Sequence, residues 1–146
     1  MKVGTTMTRS VVCVGPDDDL DAAWNVMTER NIRHLPVLKG SELVGILSDR
    51  DVLAYSVPTP DGLKVPRLRV SDAMTNLPYT CRPESRVSDV AKMMLENKID
   101  CVPVTDANGI LLGLVTSSDL LALLTDDFEE RLPFVFSVER GSTKKR

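Results

Sequence analysis

Two short segments of this 146-residue chain combine residue types that can hold a phosphorylated sugar. They are Gly45-Ile46-Leu47-Ser48-Asp49-Arg50-Asp51 and Gly113-Leu114-Val115-Thr116-Ser117-Ser118-Asp119. In each, an apolar run ends at a hydroxyl residue, Ser48 or Thr116, and an aspartate, Asp51 or Asp119, follows three positions later. That spacing fits a capping box, where hydroxyl and carboxylate satisfy orphan backbone N–H groups at a helix start. The same geometry also suits a ligand. A helix start offers free N–H groups and positive potential to a phosphate. A carboxylate beside it can accept from both hydroxyls of a ribose, each charge-assisted bond being worth about 1.5–3 kcal/mol. Apolar strand residues alongside can sandwich a flat base. Capping alone and capping joined to ligand binding both satisfy the pattern at this point.

Other chemistry is poorly served. No Cys-His or Ser-His pairing is supported by a motif, no Gly-x-x-x-x-Gly-Lys loop is present, and no metal-ligand spacing occurs. Asp17-Asp18-Asp19 is explained by an acidic helix start, favourable at the positive end of the helix dipole. A binding protein is therefore expected rather than an enzyme, with no required cofactor and no metal. The net charge of −3 removes the usual electrostatic basis for nucleic-acid binding, and an aromatic content of 4% leaves few stacking platforms. Lys144-Lys145-Arg146 reads as a solvated terminal tail. With 42% hydrophobic and 27% charged residues, the composition is that of a folded domain. Cys13, Cys81 and Cys101 are odd in number and lie in apolar stretches, so they are expected to be reduced core thiols. The N-terminus lacks the apolar region of a signal peptide, and no apolar run is long enough to span a membrane, so a cytoplasmic location is expected.

The elements that must position the two segments are written twice. Met7-Thr8 recurs as Met74-Thr75, a displacement of 67 residues, which also takes Pro16 to Pro83, Met27 to Met94, Ile32 to Ile99 and Pro36-Val37 to Pro103-Val104. Beyond the turn that pairs Lys39-Gly40-Ser41 with Asp106-Ala107-Asn108-Gly109 the displacement is 68, taking Gly45 to Gly113 and Asp51 to Asp119. A one-residue insertion in a turn is readily tolerated.

Each copy predicts the order β-α-β-β-α. Residues 11–14 are a short β-branched run closed by Gly15-Pro16. Leu20, Ala23, Trp24 and Met27 then make one helical face, matched in the second copy by Val87, Val90, Ala91 and Met94, with Ser85 as the expected cap. Apolar runs 34–38 and 42–47, and again 101–105 and 110–115, flank polar turns and predict paired strands. Short helices close the copies at 49–55 and 117–124. Pro58, Pro60, Gly62 and Pro66 mark residues 56–69 as a linker. The expected organisation is repeat 1 at 1–56, linker at 57–69, repeat 2 at 70–125 and tail at 126–146. One copy alone buries too little surface, so the two are expected to pack together. Phe134-Val135-Phe136 in the tail is an apolar cluster expected to dock on the body or on a partner.

The doubled pattern, with Met-Thr near each start, Ile-Arg-His-Leu-Pro-Val at 32–37 and Gly-Ile-Leu-Ser-Asp-Arg-Asp at 45–51, resembles a pair of cystathionine β-synthase (CBS) domains over roughly residues 3–124. The resemblance implies an α+β fold, α/β-like in its order, of two pseudo-symmetric repeats packed into one disc-like module. It also implies two clefts that take adenine nucleotides (AMP, ADP or ATP) or adenosyl compounds, and dimerisation of pairs through their helices. By position, Asp51 and Asp119 match the ribose-binding aspartate, and Ser48 and Thr116 match the hydroxyl that contacts ribose or phosphate. Arg33 and His34 match basic positions that meet phosphates, and Arg50 adds a further cation.

The second half departs from that pattern. The counterparts of Arg33, His34 and Arg50 are Asp100, Cys101 and Ser118. Arg33, His34, Arg50 and Asp51 are therefore expected to form a first cleft that prefers a phosphorylated ligand. The second cleft is expected to be empty, to take a less charged adenosyl compound, or to lend a wall to the first. The function implied is a regulatory, energy-sensing module that binds an adenine nucleotide and signals to a partner protein; the alternative is a ligand-free structural or dimerisation module of the same fold.

Overall fold

The computed structural model describes residues 1–7, 11–76 and 78–127. The expected tail cluster Phe134-Val135-Phe136 and residue Thr8 lie outside them.

Helix α1 (Leu20–Arg30) buries Leu20, Ala23 and Met27, the i, i+3, i+7 spacing that points one helical face inward, while Trp24 is half-buried. Its acidic start lies near the positive end of the helix dipole. The helix ends on Asn31 at φ 51°, a left-handed residue whose N–H returns to Met27 and Thr28 carbonyls. Strands β1 (His34–Lys39) and β2 (Glu42–Ser48) follow as an antiparallel hairpin pairing His34 with Ser48 and Leu35 with Leu47. Gly40, at φ 64°, makes the tight turn. Helix α2 (Asp49–Tyr55) leaves directly from β2.

The second copy repeats this plan. Helix α4 (Val87–Asn97) buries Val90 and Met94 and ends on Lys98 at φ 53°, 67 residues after Asn31. Strands β6 (Cys101–Thr105) and β7 (Leu111–Thr116) pair antiparallel, Cys101 opposite Thr116, and lead into α5 (Ser117–Asp127). Ser85 does not cap α4 as expected. Arg86 holds that position, and the Ser85 hydroxyl instead accepts from the Arg82 N–H at 2.9 Å, closing the preceding turn.

Two further expectations change. Residues 11–14 form no full strand: only Val14 makes a parallel bridge, to Val37, donating to the Pro36 carbonyl and accepting from Leu38 N–H. Cys81 repeats this against Val104. Val11 and Val12 leave the ladder to line a cleft. The stretch read as a linker is also partly ordered, holding a small hairpin of β3 (Val57–Thr59) and β4 (Gly62–Lys64), with Gly62 at φ 128° in its turn.

The copies exchange their leading segments. A 3-10 turn at Val3–Thr5 docks on the second copy, its Val3 and Gly4 amides donating to the Ser85 and Pro83 carbonyls, and Val3 is fully buried among Val90, Met94, Val102 and Val115. Its counterpart α3 (Val70–Ala73) joins the first copy, where Val70 packs with Leu20, Leu35, Leu47 and Val52. Strand β5 (Thr75–Asn76) then extends the first sheet along Gly45 and Ile46. A side chain at Gly45 would sit 2.9 Å from the Thr75 carbonyl oxygen, so only glycine permits this approach. Between the copies, Ile46 packs against Cys101 and Leu114, and Leu43 N–H donates to the Gly109 carbonyl. Two hydrophobic cores and one shared apolar seam thus make the pair a single unit.

Candidate functional site

The strand–helix junctions form as the spacing predicts. Ser48 Oγ accepts from Asp51 N–H at 3.1 Å while Asp51 Oδ2 accepts from Ser48 N–H at 2.9 Å. Thr116 and Asp119 repeat the exchange at 3.2 and 2.9 Å. Both capping boxes are complete, yet each uses a single carboxylate oxygen. Among the described residues, Oδ1 of Asp51 and of Asp119 carries no hydrogen bond or ion pair.

Two clefts lie between the copies. The first, about 470 Å³, is bordered on one side by Ile46, Ser48, Asp49, Arg50 and Asp51. It is also lined by Thr75 and Asn76 of the neighbouring strand, by Pro78 and Tyr79, by the run Lys98 to Cys101, and by His34. The second cleft, about 290 Å³, is bordered by Leu114, Thr116, Ser117 and Ser118, by Val11 and Val12, and by the run Asn31 to His34, with Asp100 at the edge. The two linings correspond under the displacement that relates the copies. Each cleft therefore takes its strand–helix junction from one copy and its helix–strand loop from the other.

That crossing corrects an expectation. Arg33 does not join Ser48, Arg50 and Asp51; it lines the Thr116 cleft, and His34 borders both. The left-handed turns at Asn31 and Lys98 swing these loops away from their own helices and across the seam. The Ser48 cleft receives Asp100, Arg33's acidic counterpart, along with Lys98. Arg50 and Asp51 line the Ser48 cleft, whereas Asp119, expected to bind ligand, caps the helix start beside Thr116 and is not among the residues that line that cleft.

An ion network spans the boundary. His34 Nε2 lies 2.9 Å from Asp100 Oδ1, Arg33 Nη2 lies 3.7 Å from Asp100 Oδ2, and Arg33 Nε lies 3.4 Å from Asp49 Oδ2. The His34 side chain is 13% exposed and Arg33 60%, so the histidine contact is the better shielded from water. Cys101, buried in the floor of the Ser48 cleft, has its thiol pushed up to about 12 by burial, then by the charges of Asp100 and Asp119. Burial alone raises Cys81 to about 11. Cys13, expected in the core with them, is exposed, because it precedes the paired Val14 by one residue and so faces the other way.

Lys98, Tyr79, Asn76 and Asp49 are lining residues that sequence reasoning missed. The internal repeat held a signal for some of them, since Lys98 is the counterpart of Asn31 in the loop that carries Arg33. The pairing of one copy's loop with the other's junction has no local signal. Among the described residues no group of His, Cys, Asp and Glu could hold a metal ion, and no helix is long and apolar enough to cross a membrane.

Comparison with known proteins agrees with this architecture. A family model described as the CBS domain matches residues 3–58 and 70–126. A CBS domain-containing protein of Dictyostelium discoideum is 37% identical over 126 residues, covering 81% of this chain and 87% of that protein. An inosine-5'-monophosphate dehydrogenase of Korarchaeum cryptofilum is 36% identical over 133 residues, covering 91% of this chain, but the match spans only 25% of the enzyme. Among solved structures, CBSX2 in complex with AMP superposes with a TM-score of 0.74 at 30% identity, covering 85% of this chain and 96% of that one. The CBS domain pair of protein MJ0100 in complex with 5-methylthioadenosine and S-adenosyl-L-methionine gives 0.73 at 25% identity, covering 86% and 96%. With two repeats in register and both clefts built from crossed halves, the chain belongs to the CBS-domain family and carries a pair of such domains.

Proposed function

We propose that the chain is a regulatory module that binds adenine nucleotides or adenosyl compounds between its two repeats and passes the bound state to a partner protein. The observation that carries this reading is the Ser48 cleft, lined by Asp51, whose capping box uses one carboxylate oxygen and leaves the other without a partner among the described residues. A ribose is held there by Asp51, with Ile46, Pro78 and Tyr79 as apolar walls for the base. The two related structures that carry AMP, or methylthioadenosine and S-adenosylmethionine, support an adenosyl ligand of this kind.

The clefts divide the ligands by charge. In the Thr116 cleft, Arg33 and His34 face a phosphate and Asp100 is the acid at the rim. In the Ser48 cleft, Asp49, Asp51 and Asp100 outnumber Arg50 and Lys98. A phosphorylated ligand is therefore assigned to the Thr116 cleft and a less charged or cationic adenosyl compound to the Ser48 cleft. Arg33 is free to turn toward a phosphate because its own side chain is 60% exposed, and ion pairs of an exposed arginine hold by no more than about 1 kcal/mol.

Ligand binding favours one arrangement of the repeats in proportion to its differential affinity. The response is read through assembly: Leu53, Tyr55, Leu121 and Leu124, exposed on α2 and α5, form the face on which a second copy docks. A second reading, a dimerisation module without a small-molecule ligand, draws on the capping boxes that already occupy one oxygen of Asp51 and of Asp119. Thermal unfolding with AMP, ATP and S-adenosylmethionine separates the two. A ligand at about 100 times its dissociation constant adds roughly 2.7 kcal/mol, which raises the midpoint by about 5–10 °C. No shift with any of them at millimolar concentration overturns the sensor reading and leaves the dimerisation module.

A further inference from the structure

The two clefts are separated by side chains that belong to both. His34 and Asp100 border each cleft, Arg33 lines the Thr116 cleft, and Asp49 lines the Ser48 cleft. These four residues form one connected network, Asp49 to Arg33 to Asp100 to His34, with contacts of 3.4, 3.7 and 2.9 Å. The N–H donors that a phosphate in one cleft recruits are thus the same donors that pair with carboxylates of the other.

We propose that this network couples the clefts by charge, so that a phosphorylated ligand in the Thr116 cleft favours a cationic adenosyl compound in the Ser48 cleft and disfavours a second phosphorylated one. The inference rests on the division of ligands given above and adds the regulation of one site by the other. A phosphate on Arg33 and His34 competes directly with Asp49 and Asp100 for the same N–H donors. Arg33, 60% exposed, can reorient without disturbing the core. As it turns, Asp49 and Asp100 lose their compensation and leave uncancelled negative charge along the Ser48 cleft. That charge attracts a sulfonium, is indifferent to a neutral thioether, and repels a phosphate. Binding linkage makes the effect mutual: a cation seated against Asp49 and Asp100 releases Arg33 and strengthens phosphate binding by the same factor.

The repeat symmetry accounts for the direction of the effect. The position held by Arg33 in one copy is held by Asp100 in the other, so opposite charges meet where the two loops face each other. A pair with arginine at both positions would hold two phosphates independently. The present pair makes each cleft's charge conditional on its neighbour.

Calorimetric titration of the full chain tests this with AMP, S-adenosylmethionine and 5'-methylthioadenosine, each alone and with a saturating amount of another. Saturation with AMP is expected to tighten S-adenosylmethionine binding by about fivefold or more, with the same factor in the reverse order, and to leave methylthioadenosine nearly unchanged. In Asp100→Asn and in Arg33→Gln the factor is expected to collapse toward one. Equal affinities with and without AMP, an equal gain for the neutral thioether, or a factor that survives in both variants overturns the coupling while leaving the functional reading intact. Absence of binding by every ligand to the unaltered chain overturns both.

Discussion

The two clefts share a backbone frame and differ in what lines it. Each has a capped strand–helix junction from one copy and a loop released by a left-handed residue from the other. At the loop the first cleft has Asp100 and Cys101 and the second Arg33 and His34; at the junction the first has Arg50 and the second Ser118. Both copies form the groove because it is made of backbone and capping chemistry. Its charge rests on a few side chains that can change without touching the cores. The lesson is that pseudo-symmetry here fixes where ligands sit and leaves their charge preference to be set separately in each cleft.

The sharpest way to break that comparison uses Cys101, which stands where the other copy has His34. With its thiol buried and pushed up to about 12, Cys101 is expected to react with a maleimide at pH 8 at least about tenfold more slowly than an ordinary thiol, because the thiolate is the nucleophile. Cys13, exposed, should label readily in the same sample, and mass spectrometry of the digested product reads both. Labelling of Cys101 as fast as Cys13 contradicts its place in the floor of the Ser48 cleft. The same burial gives a pH dependence of stability. Neutral Cys81 and Cys101 are bound more tightly to their protons in the folded chain, so their contribution is complete below pH about 9. It falls as pH rises toward about 11 and about 12, because the unfolded thiols ionise first.

Next in size are the cores behind each cleft. Leu47 and Val115 are counterparts, and both are fully buried. Leu47→Ala is expected to lower unfolding free energy by about 2–5 kcal/mol, and Val115→Ala by about 2 kcal/mol from its two lost methyl groups and the space they leave. Urea denaturation measures both, and a negligible loss at either site denies that copy a tight core.

The charge difference itself follows. Arg33→Gln is expected to weaken AMP by about tenfold or more, since a hydrogen bond to a charged group contributes about 1.5–3 kcal/mol. Arg50→Gln, in the other cleft, should change AMP affinity by much less. Calorimetry that finds the reverse order moves the phosphate to the Ser48 cleft.

The smallest effect is the one in which the clefts should agree. Ser48→Ala and Thr116→Ala each remove one capping hydroxyl from geometrically equal boxes and should cost about 1 kcal/mol apiece. A loss at only one of them, by urea denaturation, separates the two junctions that the hydrogen bonds make alike.

Much of the fold was legible because it is local or repeated. The helical faces of Leu20, Ala23 and Met27 and of Val90 and Met94 follow from spacing, and both hairpins follow from apolar runs across polar turns. The capping boxes were readable because Ser48 and Asp51, like Thr116 and Asp119, lie within one helical turn of each other. Residues 11–14 misled because β-branched composition records a preference for extended backbone, whereas a strand requires a neighbour, and only Val14 finds one. Ser85 misled for a related reason: its hydroxyl accepts from the Arg82 amide and closes the preceding turn, a local bond that competes with capping.

The amino-acid sequence by itself determined the repeat, the order of elements within each copy, and the two hydroxyl–carboxylate junctions, since each depends on neighbours within a few residues. Tertiary structure alone decided that Val3 completes the second core and Val70 the first, and that Arg33 reaches across to the cleft of Thr116. Those contacts join residues well beyond one helical turn or one hairpin of each other, and nothing in local periodicity records them. They arise because two copies that cannot bury their apolar faces alone pack those faces together, with Ile46 against Leu114, and in doing so bring each loop to the other's groove.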